Sequence, residues 1–151
     1  MVTVRKYNSS DWEAIQRIHD AGRQNELKLA GLEDAFLPLK VAAEREGLFE
    51  YPGIFVAEEG GVIVGFAACT EDELAWLYVD PARARKGIGR SLTEYALRQF
   101  PEIRYIEALV GNDPAVALYK SVGFEITGTE SGKMPGNEEF PVKVYVLERR
   151  P

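Results

Sequence analysis

The sequence predicts an α/β chain of the α+β kind, a central sheet of about six to seven strands flanked by about four helices. Three observations predict it. Short β-branched and aromatic runs recur along the whole chain, other segments carry apolar residues at helical spacing, and the breaks between them are compact signals of glycine, proline and capping side chains. With no internal repeat, linker or low-complexity stretch, the 151 residues read as a single domain, 1–151, long enough to bury roughly 68–70% of the unfolded surface without disulfides or metals.

Residues 2–7 alternate like a short strand. Ser10 and Glu13 then read as a capping box opening a helix that carries Trp12, Ile15 and Ile18 on one side. The helical pattern continues through Leu27, Leu29 and Leu32 and resumes over residues 39–46, where Gly47 suits its end. Residues 54–58 read as a strand, Glu59, Gly60 and Gly61 as a hairpin turn, and residues 62–69 as the partner strand. A strand over 74–79, a helix from Gly87 to about Phe100 and a strand over 103–110 follow. Asn112, with Pro114 in the first turn, opens a further helix that ends at Gly123. Strands over 124–127 and 142–147 complete the order, with a polar loop over 131–139 between them.

Composition narrows the function. A hydrophobic content of 46% beside 28% charged residues is that of a globular protein. The N-terminal residues contain no apolar leader core, and no run approaches the length needed to span a bilayer, so a cytoplasmic location with no membrane partner is the default expectation. A formal net charge of -6 and a pI near 4.9 argue against nucleic acid as a partner. One cysteine, Cys69, leaves no disulfide framework, and one histidine, His19, leaves nothing from which to build a Cys/His metal cluster. Cys69, on an apolar strand, reads as a small buried hydrophobe, and His19 as a packing or surface residue.

One stretch departs from the acidic background. After the strand ending at Val79, Asp80 and Pro81, four of the 18 basic residues, Arg83, Arg85, Lys86 and Arg90, fall within eight positions around Gly87 and Gly89, just where a helix starts. A helix N-terminus presents unpaired N–H groups and the positive end of its dipole, and glycine lets an anion approach the backbone closely. No glycine-lysine-serine or glycine-lysine-threonine occurs, which removes the P-loop; counting a dinucleotide fingerprint from Gly87 puts Leu92 where a third small residue is needed.

This loop with its preceding strand (77–81 and 85–89), together with the run from Asn112 through Leu118 and Tyr119 to Gly123 and Phe124, resembles the GNAT superfamily of N-acetyltransferases over essentially the whole chain. The resemblance implies a mixed, mostly antiparallel sheet, splayed where strand 74–79 meets strand 103–110. It also implies acetyl-CoA as cosubstrate, no metal, and direct transfer of an acetyl group to a primary amine of a small molecule or peptide in a ternary complex. In that family the pyrophosphate of CoA is held mostly by backbone N–H groups of the loop, here Arg85, Lys86, Gly87, Ile88, Gly89 and Arg90. The family's usual Arg or Gln three residues before the first glycine is Ala84 here, which shifts the expected binding further onto the backbone.

The resemblance further places the Leu77 N–H on the acetyl carbonyl, the Val79 backbone along pantetheine, and Asn112, Ala115 and Tyr119 beside the same arm, with Tyr119 as the acid for the departing thiolate. Asn112 and Tyr119 are seven residues apart, about two helical turns, so both can face that arm. Glu73 starts its strand at even spacing from Leu77 and Val79, so alternation points it to their face, and the resemblance implies it as the base, a glutamate at this offset often serving so in the family. The acceptor is expected between residues 24–49 and the loop 131–140, where Glu26, Glu33, Asp34, Glu138 and Glu139 hint at a cationic amine, with Trp12 and Trp76 as core or pocket wall. A non-catalytic acyl-CoA-binding sensor or interaction module of the same fold is the alternative, and a homodimer is left open.

Overall fold

In a computed structural model, which describes residues 1–83 and 87–150, the chain runs β1 (Val2–Lys6), α1 (Trp12–Leu29), α2 (Leu39–Glu46), β2 (Gly53–Glu59), β3 (Val62–Cys69) and β4 (Glu73–Val79). It continues through α3 (Ile88–Gln99), β5 (Tyr105–Leu109), α4 (Asp113–Ser121), β6 (Phe124–Met134) and β7 (Asn137–Arg149). The strands form one seven-stranded sheet in the order β1-β2-β3-β4-β5-β7-β6, antiparallel at every pairing except β4 with β5.

β3 shows why the sheet is sandwiched by helices. Every residue from Ile63 to Cys69 is buried. Val64, Ala67 and Cys69 join the core under α3, while Ile63, Phe66 and Ala68 join the core under α1 and α2. A continuous apolar run is what a strand covered on both faces requires. Gly65 lets α3 lie close, since a Cβ there would sit 3.0 Å from Leu92 Cδ1 and from the Tyr78 carbonyl oxygen.

The central pair opens into a cleft. β4 and β5 share only two register pairs, Glu73 with Tyr105 and Leu74 with Ile106. Just beyond them Ala75 is an extra residue against β3, because Cys69 faces Leu74 and Ala68 faces Trp76. Such a bulge bends and twists its strand. From Ala75 to Val79 the edge of β4 toward β5 therefore has no ladder partner among the described residues, and the expected splay lies there.

Three expectations change. The capping box is Asn8 with Asp11, ahead of Ser10 and Glu13: the Asn8 side chain accepts from Ser10 N at 3.1 Å and Asp11 accepts from Asn8 N at 3.0 Å. Arg5 fixes that frame by gripping both Asp11 oxygens, at 2.8 and 2.9 Å, and holds the Asp11 carboxyl below its usual range. Leu32 lies outside α1, which closes at Leu29 with its cap at Ala30. The stretch over 131–139 is no polar loop: β6 runs on to Met134 and β7 starts at Asn137, with Gly136 at a φ of 76° in the turn. Residues 125–133 are all exposed, so this ribbon lacks the apolar alternation by which a half-buried strand is recognised.

Candidate active site

Two cavities flank the opening between β4 and β5. The first is a groove of about 680 Å³. β4 contributes Leu77 and Val79 to it, the start of α3 contributes Gly87, Ile88, Gly89 and Arg90, and α4 with its cap contributes Asn112, Ala115 and Tyr119. Nine of the expected cosubstrate residues are thus brought to one surface. Ala84, Arg85 and Lys86 lie outside the described residues.

The groove suits a long anionic ligand. Gly87 is the N-cap of α3 at a φ of 75°, with no side-chain cap bond, and among the described residues the first-turn N–H groups of α3 have no partner. At Gly89 a Cβ would stand 3.1 Å from Leu118 Cδ2, and its absence lets α3 start close against α4. Asn112 caps α4 through Ala115 N at 3.4 Å and donates to Glu26 Oε2 at 3.2 Å.

The second cavity, of about 160 Å³, lies under α1, α2 and the turn between β6 and β7. His19, Arg23 and Glu26 enter it from α1, Ala42 and Glu46 from α2, Trp76 from β4 and Glu107 from β5. Met134, Asn137, Val142 and Val144 supply the hairpin wall. Four residues, Glu26, Leu77, Tyr78 and Tyr119, line both cavities, so the two spaces meet where the strands part.

A hydrogen-bonded hub fixes that junction. Glu26 accepts from the Arg23 guanidinium, from the Tyr78 hydroxyl at 3.1 Å and from Asn112, tying α1 across the cleft to β4 and α4. Burial pushes the Tyr78 phenol up, and the Glu26 charge adds to it. Tyr119 is 7% exposed and makes no hydrogen bond among the described residues; burial, then Glu26, raises its pKa, so the phenol is neutral at any ordinary pH.

The cavity carboxylates are also shifted. Burial pushes Glu46 up to about 7, Arg23 opposing and Glu138 adding to it. Glu107, exposed on its strand, is raised by partial burial and then by Glu130. His19 is 2% exposed and lowered by burial, with Nδ1 2.9 Å from Asp20 Oδ1, the same oxygen that accepts from Leu39 N at 2.8 Å to start α2. It packs 4.9 Å from the Tyr78 ring and serves as wall. Cys69 is fully buried and its thiol pushed up to about 11, as befits an inert hydrophobe.

Glu73 is placed differently from expectation. The extra residue at Ala75 breaks the alternation, so Leu74, rather than Glu73, joins Leu77 and Val79 in the core under α3. Glu73 is half-buried with its pKa raised by burial and then by Glu107 and Asp72, and it lines neither cavity. Sequence reasoning missed Arg23, Glu46 and Glu107. Glu107 carried a readable signal, lying between Ile106 and Ala108 and hence on the face opposite their core, whereas nothing local marks Glu46.

The family pattern described as acetyltransferase (GNAT) domain matches residues 50–126. A peptidyl-lysine N-acetyltransferase, YiaC, from Escherichia coli is 36% identical over 73 residues, covering 48% of this chain and 49% of the relative. A mycothiol acetyltransferase from Streptomyces bingchenggensis is 33% identical over 147 residues, covering 85% of this chain and 44% of that protein. The chain thus spans about half the length of these curated relatives. Among solved structures, yncA from Salmonella typhimurium with its cofactor acetyl-CoA superposes with a TM-score of 0.71 at 21% identity, covering 99% of this chain and 94% of that one. Among the described residues no helix is long and apolar enough to cross a membrane.

Proposed function

The chain belongs to the acetyltransferase (GNAT) family, and from that premise we propose that it is an acetyl-CoA-dependent N-acetyltransferase acting on a primary amine. One observation carries the reading: the groove and the acceptor cavity join at Leu77, Tyr78, Tyr119 and Glu26, so ligands entering from opposite sides have their ends brought together. The relatives named as N-acetyltransferases and the acetyl-CoA held by yncA support it.

Acetyl-CoA, when bound, supplies the activated acetyl thioester. Gly87, Ile88, Gly89 and Arg90 would hold its pyrophosphate at the open turn of α3, and Val79, Asn112 and Ala115 its pantetheine arm. The Leu77 N–H, on the edge of β4 that β5 has left, would donate to the acetyl oxygen as negative charge gathers there. The amine enters as an ammonium with a pKa of about 10.4 and must shed a proton before its nitrogen forms the new bond. That duty falls to a carboxylate facing the cavity, and Glu107 faces it while Glu73 does not.

Tyr119 takes a narrower part than that of an acid. A phenol of pKa about 10 already lies above a thiol of about 8.5, and burial raises Tyr119 further, so complete proton transfer to the thiolate runs uphill. The hydroxyl instead donates a hydrogen bond to sulfur as the carbon–sulfur bond breaks, and the second proton that the nitrogen gives up as the amide forms passes through water to the thiolate.

The test is thiol release from acetyl-CoA by the purified chain across a panel of small amines, amino acids and short peptides. Acceptor-dependent release accompanied by acetylated amine is expected. Tight CoA binding with no acceptor-dependent release would reassign the chain as an acyl-CoA-binding module.

A further inference from the structure

Three carboxylates line the acceptor cavity, and they are not alike. Glu26 is fully engaged by Arg23, Tyr78 and Asn112. Glu107 is exposed. Glu46 is half-buried yet makes no hydrogen bond or ion pair among the described residues. Its charged neighbours make their hydrogen bonds elsewhere, Arg23 to Glu26, Arg45 to the Gly136 carbonyl at 2.9 Å and Glu138 to the Gly136 N–H at 2.9 Å, and Arg23 acts on Glu46 through its charge alone.

Glu46 is nevertheless held in place. A Cβ built at Gly136 would lie 3.1 Å from Glu46 Cγ and 3.3 Å from Oε2, so the carboxylate is wedged beneath the tip of the β6–β7 hairpin. Stripping water from this carboxylate costs free energy that the opposing Arg23 charge does not fully offset, which shows as the pKa pushed up to about 7. A bound cation would remove that cost.

A second unmet group occupies the same cavity. The Tyr119 hydroxyl, on a side chain only 7% exposed, has no partner among the described residues and lies where the cavity joins the groove. Glu46 lines the acceptor cavity alone. The reacting nitrogen therefore belongs at Tyr119 and the cation demanded by Glu46 belongs elsewhere on the same ligand. Leu37, Ala42, Trp76 and Met134 give the cavity an apolar wall suited to a methylene chain.

We propose that Glu46 is a specificity residue that pairs with a second, protonated nitrogen of the acceptor, making the preferred substrate an aliphatic diamine or oligoamine. The inference rests on the acetyltransferase reading for its orientation, since one nitrogen is acetylated while the other is held.

The test compares putrescine, cadaverine and hexamethylenediamine with butylamine, pentylamine and hexylamine, by calorimetric binding to the CoA-loaded protein and by thiol release from acetyl-CoA. At least one diamine should bind about tenfold or more tighter than its monoamine, a difference of one paired charge. Glu46→Gln should erase that advantage through KM while leaving kcat, and the monoamine, within about twofold of the unsubstituted protein. Equal binding of every matched pair would overturn the proposal, as would a Glu46→Gln loss shared equally by monoamines. The first comparison decides even if the variant fails to fold. Diamine binding that depends on Glu46 without any thiol release would preserve the cation site and overturn the acetyltransferase reading instead.

Discussion

The side chain of Tyr119 is largely buried, and its hydroxyl is neutral, open to the cavity and without a hydrogen bond among the described residues, at the point shared by both cavities. Such a donor costs little to keep if its partner arrives with the reaction, because a neutral phenol left partly solvated carries no buried charge. Tyr119→Phe removes the donor and leaves the ring against Phe124, 6.5 Å away. Turnover is expected to fall about ten- to a hundredfold, with acetyl-CoA affinity changed less than about twofold, as for loss of a donor used mainly in the transition state. Steady-state kinetics beside equilibrium CoA binding measure both, and unchanged turnover removes Tyr119 from the chemistry. Because burial and Glu26 both raise the phenol, no loss of rate between pH 6 and about 9 should trace to its ionisation.

The elements show what was legible and why. α2 and β3 begin and end where the sequence places them, at Leu39–Glu46 and Val62–Cys69, since Gly47 at a φ of 66° and the Gly60-Gly61 turn leave little choice. Gly87 to Arg90 and the Asn112 cap likewise line one groove, because a helix start is written in a few adjacent residues. Glu73 went astray because alternation assumes an unbroken strand, and one extra residue at Ala75 inverts the face of everything before it. Glu46 was illegible because its surroundings come from α1, and from a hairpin 90 residues further on that carries no apolar pattern. Close approach, by contrast, can be tested locally. Gly65→Ala would force a Cβ to 3.0 Å from Leu92 and from the Tyr78 carbonyl, and to 3.1 Å from Ile88, at the seat of α3 on β3. Urea unfolding should show a loss of about 1–3 kcal/mol, the usual cost of overpacking, and a neutral result would mean that α3 lies less tightly on the sheet.

Taken together, the sheet acts as a frame with one deliberate gap. Helices close both faces of β3, and the cores under α3 and under α1 and α2 each rest on it, while β4 and β5 part beside it. The gap joins a groove of about 680 Å³ to a cavity of about 160 Å³, and Glu26 bridges the elements that border it. Under the proposed function, an amine and a thioester would occupy that geometry together, with the acetyl group passing directly between them rather than resting on the protein. Cys69 offers no resting place, being fully buried with its thiol pushed up to about 11. Initial velocities measured over a grid of acetyl-CoA and amine concentrations test this most directly. Intersecting reciprocal plots are the expected result, whereas parallel lines, the signature of an acetylated protein intermediate, would contradict it.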